Sequence, residues 1–351
     1  MHDTTFLVLY LLTVAPTASL GFRSAAGDGR GRRLRLGLGV LACVAAVALA
    51  GLWASGAAAW GVGPRRLATP PADIAVDAGR PWRVAVIGDI QNGLSELSEL
   101  LALVARLEPD VILLLGDTVN NATPGRYAVL HSMFRDYGPA IPLVSVPGNH
   151  DMRRSNDALD LYETWVGPLH WRLDVGGWRI LGLDNAAGPL SAASLELAAA
   201  AHEPPPKHGL VVATHRPLRE ALPRRPTITL AGHVHSSDDF VDEWGTRHFH
   251  HGNNCDRSHD NRAEDLPTVG ILTLAEDGFE WTPHTVPRAM KLGVEFRRVA
   301  CGSVYPVIRS APFSFGFGIA SLLAVGVGLL VGAAPFRARP SAGGTEIHAR
   351  S

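Results

Sequence analysis

Five short apolar runs in the central part of this chain each lead into residues that can bind a metal ion. Runs that are apolar on both faces and rich in β-branched residues are typical of strands buried in a sheet that helices cover on both sides. The residues that follow the runs, in chain order, are Asp89, Asp117, Asn149, His215 and the pair His233 and His235. Because ligands collect outside the carboxyl ends of strands in open α/β sheets, we expect these side chains to converge at one edge. Carboxylate and amide oxygens and imidazole nitrogens bind divalent ions, so the pattern predicts a metal site.

Helical periodicity fills the intervals between several of these runs. From Leu94 to Leu107, leucine and valine recur at spacings of three and four, and Pro109 follows. This spacing is typical of an amphipathic helix that ends before a proline. Further predicted elements are helices over 126–137 and 191–202, a strand over 141–146 and a hairpin over 171–183. Helices and strands alternate early and strands dominate late, which predicts one α/β domain over residues 82–290.

Three stretches without any charged residue lie outside this domain, at 4–22, 36–64 and 310–336. A membrane-spanning helix needs about 20 apolar residues, and each stretch supplies them. The second stretch follows a basic run and ends in small residues at 57–59, so a cleaved signal sequence is the alternative for it. The sequence predicts about three transmembrane helices.

Arginines beside these stretches predict the orientation of the chain. Those between the first two stretches are Arg23, Arg30, Arg32, Arg33 and Arg35, and those after the third are Arg337, Arg339 and Arg350. Short basic loops stay in the cytoplasm. The sequence therefore predicts an integral membrane protein in contact with the lipid bilayer, with its large domain outside the cytoplasm. Arginines at both ends of that domain oppose this rule.

The predicted organisation has six parts. These are two transmembrane helices with a basic loop (1–63), a linker (64–81), the α/β domain (82–290), a connector (291–311), a C-terminal transmembrane helix (312–336) and a short tail (337–351). The net charge is -1, and no basic face indicates a nucleic-acid partner.

The chain has three cysteines. Cys43 lies in a predicted span and is expected to be a packing residue. Cys255 and Cys301 form a disulfide or remain two thiols, and an exported domain would permit the disulfide. No C-x-x-C pair is present, which argues against a cysteine-based zinc site.

The ordered set of motifs resembles the calcineurin-like metallophosphoesterase family over about residues 82–286. The matching segments are Asp89-Ile90-Gln91, Gly116-Asp117, Gly148-Asn149-His150-Asp151, His215 and Gly232-His233-Val234-His235. The resemblance implies a four-layer sandwich of two mixed β-sheets flanked by helices, with two divalent metal ions such as Mn, Fe or Zn. Gln91 departs from the pattern, because the family usually has histidine there and an amide oxygen is the weaker ligand.

The resemblance also implies a role for each residue. One metal would be bound by Asp89, Gln91, Asp117 and His235, and the other by Asp117, Asn149, His215 and His233. A hydroxide activated by both metals would attack phosphorus. His150 would lie near the leaving-group oxygen, as a proton donor or a transition-state stabiliser, and Asp151 would orient its ring. The implied reaction is hydrolysis of a phosphoester or pyrophosphate bond in a phosphorylated substrate whose class stays open.

Other interpretations remain for these residues. Taken singly, Asp89 and Asp117 fit helix caps or turns equally well, and only the ordered set favours ligands. Gln91 favours a catalytically weak or inactive membrane-bound module that binds or senses, while a structural one-metal envelope protein would not need His150.

Several residues next to the motifs are further candidates. Arg153, Arg154 and Arg216 would suit a substrate phosphate or be ordinary surface arginines. His248, His250 and His251 would line the pocket or belong to a strand.

Overall fold

This computed structural model describes residues 29–60, 65–77, 79–153, 157–201, 203–251, 255, 266–306 and 312–333. The chain forms two compact units, one of residues 1–53 with 308–351 and one of residues 54–307. The helices are α1 (Gly29–Trp60), α2 (Leu94–Leu107), α3 (Pro124–Tyr137), α4 (Ala158–Trp165), α5 (Ala192–Ala200), α6 (Leu292–Val299) and α7 (Pro312–Ala333). A 3₁₀ turn over Pro71–Asp73 and a π-helical turn over Ala300–Val304 complete them.

Helices α1 and α7 pack together within the first unit. A Cβ atom on Gly326 would lie 2.6 Å from Sγ of Cys43 and 3.0 Å from the carbonyl oxygen of Gly39. No side chain fits at that point, so glycine allows the two helix backbones to approach closely.

The membrane prediction is confirmed only in part. Among the described residues, one helix is long and apolar enough to cross a membrane, over Arg30–Ala54 in α1. Gly318–Leu330 in α7 is a shorter apolar segment, and the predicted span over 4–22 lies outside the described residues. Within the described residues, the structure thus supports one membrane-length helix, near the N-terminus.

The second unit contains two mixed β-sheets. The strands are β1 (Trp82–Ile87), β2 (Val111–Leu114), β3 (Leu143–Ser145), β4 (Trp171–Val175), β5 (Trp178–Gly182), β6 (Gly209–Thr214), β7 (Ile228–Ala231), β8 (Ser237–Val241), β9 (Arg247–His251), β10 (Thr268–Ala275) and β11 (Gly278–Thr285). The first sheet has the order β11-β10-β1-β2-β3 and the second β4-β5-β6-β7-β9-β8. Strands β1 to β3 are parallel to one another, as are β5, β6, β7 and β9. The predicted α/β sandwich of two mixed sheets flanked by helices is confirmed.

The main hydrophobic core joins side chains of both sheets. It contains Val86 and Leu113 of the first sheet together with Val211 and Leu230 of the second. In β6, Val211 contributes to this core while its neighbour Val212 contributes to a smaller cluster with α5. Because successive side chains of a strand point to opposite faces, β6 is covered on both sides, and all six of its residues are buried.

Local sequence accounts for the helices beside the first sheet. Leu97, Leu101 and Val104 of α2 are fully buried, which confirms the predicted amphipathic helix. The Thr123 hydroxyl accepts a hydrogen bond from the backbone N–H of Arg126 and caps α3. Helix α4 was not predicted, because its eight residues are too few to establish a helical period.

The cysteines resolve one of the alternatives left by the sequence. All three are among the described residues, and no disulfide joins any of them. Cys255 and Cys301 are both buried. Burial raises the pKa of the Cys301 thiol, so it stays protonated and behaves as a packing residue.

His251 at the end of β9 predicts a pH-dependent stability. Its ring is buried, lies edge-on to Trp281 and has Nε2 3.1 Å from the carbonyl oxygen of Thr268. Burial lowers its pKa from 6.5 to about 4. In the unfolded chain the ring gains a proton as the pH falls through 6.5, whereas in the folded protein it stays neutral. Stability is therefore lost as the pH falls, by about 2 kcal/mol from this group between pH 7 and 5.

His251→Phe is expected to remove that share of the pH dependence. Urea unfolding of the detergent-solubilised chain at both pH values measures it, and the value at pH 7 isolates the cost of the lost hydrogen bond. An equal pH dependence in the variant and the native chain would contradict the assignment.

Candidate metal centre

The predicted site residues follow the carboxyl ends of the parallel strands. Asp89 follows β1, Asp117 follows β2 and Asn149 follows β3. In the second sheet, His215 follows β6 and the His233–His235 segment follows β7. Since parallel strands present the same end at the same edge, the topology brings all of these residues to one edge of the sandwich.

Asp89, Asp117 and His215 form the centre of the site. One potential ligand atom from each lies within 4.8 Å of the other two, and all three side chains are buried. A buried cluster with two carboxylates needs a compensating positive charge, and a divalent cation supplies it.

Gln91 lies against this centre with its amide nitrogen turned toward Asp117. Its Nε2 donates a hydrogen bond to Oδ2 of Asp117 over 3.1 Å. Its carbonyl oxygen Oε1 and the Oδ1 atom of Asp89 are both buried without a hydrogen-bond partner. Buried oxygens are rarely left unpaired. Two such atoms at the predicted first metal position fit a cation as their missing partner.

The His215 ring makes the same point for the second metal position. Its Nδ1 is 2.8 Å from the carbonyl oxygen of Leu115, which can only accept, so Nδ1 carries the proton. The lone pair of Nε2 then points at Oδ1 of Asn149, 3.0 Å away, and at Oδ1 of Asp117, 3.5 Å away. Three acceptors that face one another fit a metal ion between them, with the amide of Asn149 in the orientation given.

The paired histidines complete the group. Nε2 of His235 lies 3.7 Å from Oδ1 of Asp89, and the backbone N–H of His233 donates to Oδ2 of the same carboxylate over 2.9 Å. The His233 and His215 rings are 5.0 Å apart, centre to centre. Burial, His215 and Arg216 together lower the pKa of His233 to about 4, so its ring is neutral, as a ligand must be. The seven residues predicted as ligands therefore lie together.

Backbone strain is concentrated in the same residues. Of the six described non-glycine residues with positive φ, five are in the site: Asp89 (50°), Gln91 (47°), Asp117 (50°), His233 (67°) and His235 (54°). Each such residue costs on the order of 1 kcal/mol, and the rest of the structure has to maintain it. Hydrogen bonds from the backbone N–H of Asp89 to Gly116 and from that of Gln91 to Asp117 link the first two strand ends.

Two motif glycines are required by close approach. A Cβ atom on Gly148 would lie 2.1 Å from the backbone nitrogen of Asp117, and one on Gly232 would lie 2.9 Å from Oδ2 of Asp89. Any side chain at these positions would displace the carboxylates. The glycines thus precede Asn149 and His233 for a steric reason.

His150 borders the centre, and its ring contacts correct one expectation. The sequence predicts that Asp151 orients this ring. The structure instead places Oδ1 of Asn120 2.6 Å from Nδ1 of His150. Asp151 accepts hydrogen bonds from Thr118 and from the backbone N–H of Gly148, because its buried carboxylate faces the loops that carry the ligands. Asp151 therefore fastens these loops, and Asn120 orients the ring.

The electrostatics of the site reflect its buried negative charge. Burial and the nearby charge of Asp117 raise the pKa of Asp89 well above its ordinary value. The same two causes raise the pKa of Asp151 to about 7, although hydrogen bonds from Thr118 and Gly148 oppose the rise. The acidic groups repel one another, and a cation would remove that repulsion.

Sequence reasoning missed Asn120 and Asn185. Oδ1 of Asn185 accepts hydrogen bonds from the backbone N–H groups of His215 and Arg216, over 3.1 and 2.9 Å. It follows β5 closely, so the pattern of an apolar strand before a polar residue could have identified it. Asn120 lies in a loop and carries no comparable signal.

The candidate arginines differ in position. Nη1 of Arg153 lies 2.9 Å from Nδ1 of His150, and Nη1 of Arg216 lies 2.8 Å from Nε2 of His233. Arg154 lies outside the described residues. His251 is buried in the strand, whereas His248 contacts Asp242 in the turn of the same β8–β9 hairpin.

Two mixed sheets with a buried cluster of aspartate and histidine at one edge define a metallophosphoesterase fold. Residues 83–263, just over half of the chain, match the calcineurin-like phosphoesterase family. The chain belongs to this family. No curated protein matches it at a significant level.

Similar solved structures include a phosphatase, a phosphoesterase and a nucleotidase. A dimetal phosphatase from Danio rerio is 12% identical, with a TM-score of 0.44 over 59% of this chain and 99% of that one. The phosphoesterase Yfce from E. coli is 16% identical, with a TM-score of 0.35 over 54% and 87% of the two chains. NAD nucleotidase from Haemophilus influenzae is 10% identical, with a TM-score of 0.39 over 71% and 60%. These TM-scores are under 0.5, so the family assignment rests on the sequence match.

Proposed function

We propose that this chain hydrolyses a phosphoester or pyrophosphate bond with the help of two divalent metal ions. The observation that carries the proposal is a pair of buried oxygen atoms, Oδ1 of Asp89 and Oε1 of Gln91, that have no hydrogen-bond partner. Asp117 lies between the two predicted ligand groups and suits a shared ligand. Bound metals would supply Lewis-acid activation of the phosphoryl group and of the attacking water.

The chain's own residues supply the remaining functions. Asp89, Gln91, Asp117 and His235 would bind one metal, and Asp117, Asn149, His215 and His233 the other. Oδ1 of Asn120 would hold the His150 ring through Nδ1, and the doubly protonated ring would give its Nε2 proton to a leaving-group oxygen. Asp151 and Asn185 hold the loops that carry these ligands.

Hydrolysis of an aryl phosphate monoester and an aryl phosphodiester by the purified full chain tests this proposal. We expect turnover that chelation abolishes and that added Mn, Fe or Zn restores. Calorimetry on the same samples measures metal binding independently of activity. Metal binding without turnover of either ester or of inorganic pyrophosphate would reject the enzyme and favour the binding or sensing module, and no metal binding would reject both.

Gln91→His tests the departure from the family pattern. Imidazole is a stronger ligand than an amide oxygen, and histidine tolerates the positive φ at this position. We expect the affinity of the weaker-bound metal to rise by about tenfold in calorimetric titration. Gln91→Ala should lower it by a similar factor. Equal affinities in all three proteins would show that this side chain binds no metal.

We also propose that the domain is tethered outside the cytoplasm by membrane helices. Arg30, Arg32, Arg33 and Arg35 begin the apolar helix α1, which favours a cytoplasmic start and export of the following domain. Helix α6 adds support, because Leu292 and Phe296 are 77% and 50% exposed on one side of it, as expected for contact with lipid.

A reporter fused after Ser351 tests the orientation. If the helix near the C-terminus spans the membrane, a reporter that is active only in the cytoplasm should be active at this position. A second reporter that is active only outside the cytoplasm should be inactive at the same position, and the reverse pair of results would contradict the topology. Release of the native chain from membranes by alkaline carbonate would contradict any span.

A further inference from the structure

A cavity of about 290 Å³ opens beside the candidate metal centre. Besides His233, it is lined by Gly188, Pro189, Arg216, Pro217, Arg219 and Glu220. His233 belongs to both the cavity and the predicted ligand set, so a molecule bound at the centre can extend directly into the cavity. The volume is near the lower end of the range for small-molecule sites and suits a compact group.

Arg216 is held at the boundary between the cavity and the centre. Its Nη1 donates to Nε2 of His233 over 2.8 Å, and its Nε donates to the carbonyl oxygen of Ala186 over 3.3 Å. Within the described part of the chain, no carboxylate forms a salt bridge with it. The Nε2 lone pair of His233 cannot accept from this guanidinium and bind a metal at the same time. Metal binding through Nε2 would therefore free Nη1 of Arg216 to donate to another acceptor.

The single carboxylate in the cavity wall does not neutralise the arginines. Oε1 of Glu220 accepts from the backbone N–H of Leu190, and Oε2 accepts from the backbone N–H of Arg219. Glu220 therefore fastens the two loops that form the cavity. The exposed Arg219 side chain adds a second guanidinium, and two guanidinium groups against one carboxylate leave a site for an anion.

We propose that this cavity binds a second phosphoryl group of the substrate, linked to the scissile one through a bridging oxygen. The inference rests on the proposed function, because the scissile phosphorus has to lie at the metal centre. It narrows the substrate class from phosphoesters in general to compounds with a phosphoanhydride bond. Guanidinium groups bind phosphoryl oxygens in a bidentate manner, which matches the two arginines of the wall.

The lining argues against the main alternative, a nucleobase. Among the lining residues, only His233 carries an aromatic ring on which a base could stack. In the reaction, one water adds its oxygen to the scissile phosphorus and the bond from that phosphorus to the bridging oxygen breaks. The second phosphate leaves with the bridging oxygen, and the water protons pass to the products and solvent.

Binding of two anions to the Mn-loaded full chain tests the inference. The probes are inorganic phosphate and methylenediphosphonate, which carries two phosphoryl groups and cannot be hydrolysed. Calorimetry gives both affinities, and inhibition of aryl phosphate hydrolysis gives the same ratio independently. We expect the diphosphonate to bind at least about tenfold more tightly than phosphate.

Arg216→Gln and Arg219→Gln should each lower that preference by about threefold to tenfold while phosphate binding changes less. Arg224→Gln is the matched control, since it makes the same charge change outside the cavity. If both cavity variants kept the native preference for the diphosphonate over phosphate, the inference would be overturned. The proposed function would still stand in that case, provided that the native chain hydrolyses the aryl phosphate. If the metal-loaded native chain neither hydrolysed the aryl phosphate nor bound either anion, the inference and the proposed function would both be overturned.

Discussion

Asp117→Asn is expected to lower metal-dependent phosphoester hydrolysis by about 1,000-fold or more. The Asp117 carboxylate is almost fully buried, and it lies at the point where the two predicted ligand groups meet. Asparagine preserves the shape and can still accept the hydrogen bond from the backbone N–H of His150. It also tolerates the positive φ of this residue. The substitution therefore removes the charge and also the acceptor Oδ2 that Nε2 of Gln91 uses, because an amide NH₂ takes its place.

In the absence of metal, Asp117→Asn should raise the stability of the fold, although it lowers activity. The charge of Asp117 raises the pKa of Asp89 and of Asp151, which means that these carboxyl groups repel it in the folded protein. Asp117→Asn removes this repulsion, so we expect the metal-free variant to be more stable than the metal-free native chain above pH 7, by about 1 kcal/mol. Added Mn should stabilise the native chain and have little effect on the variant.

Thermal unfolding with and without Mn, together with initial rates on an aryl phosphate, measures both effects. Asp160→Asn is the control, because it makes the same chemical change on an exposed part of α4. A variant that keeps its Mn-dependent rate within about tenfold would rule out the shared-ligand role. A variant that is inactive and also less stable without metal would instead indicate a fold defect.

The sequence predicted where the candidate ligands lie because strand and motif periods constrain their positions directly. A strand that is apolar on both faces has to be central in a sheet, and the residue after it has to lie at the carboxyl edge. Asp89, Asp117 and His215 follow from that rule. The glycines before Asn149 and His233 left a second signal, since close approach allows no side chain there.

Contacts within loops could not be predicted in the same way. Asp151 follows His150 directly in the chain, yet its carboxylate faces Thr118 while Asn120 reaches the ring. Side-chain direction in a loop depends on each backbone angle, and no period in the sequence encodes it. The cavity beside Arg216 could not be predicted either, because it forms between loops that are separate in the chain.

His150 provides the second large effect, and its size should depend on the leaving group. His150→Ala is expected to slow hydrolysis of an alkyl phosphate by about 100-fold to 10,000-fold, because an alkoxide needs a proton as it departs. An aryl phosphate with an acidic phenol should lose less than about tenfold. The backbone N–H of residue 150 remains in the variant, so its hydrogen bond to Asp117 is preserved.

Asn120→Ala separates orientation of the ring from its chemistry. Oδ1 of Asn120 is 2.6 Å from Nδ1 of His150, and its removal should cost about tenfold with the alkyl substrate and little with the aryl one. Asn121→Ala is the matched control one residue along the same loop. If His150→Ala slowed hydrolysis of both substrates equally, the His150 ring would act on the phosphoryl oxygens that both substrates share. The ring would then stabilise charge on those oxygens and would not donate a proton, and Asn120 would hold it for that purpose.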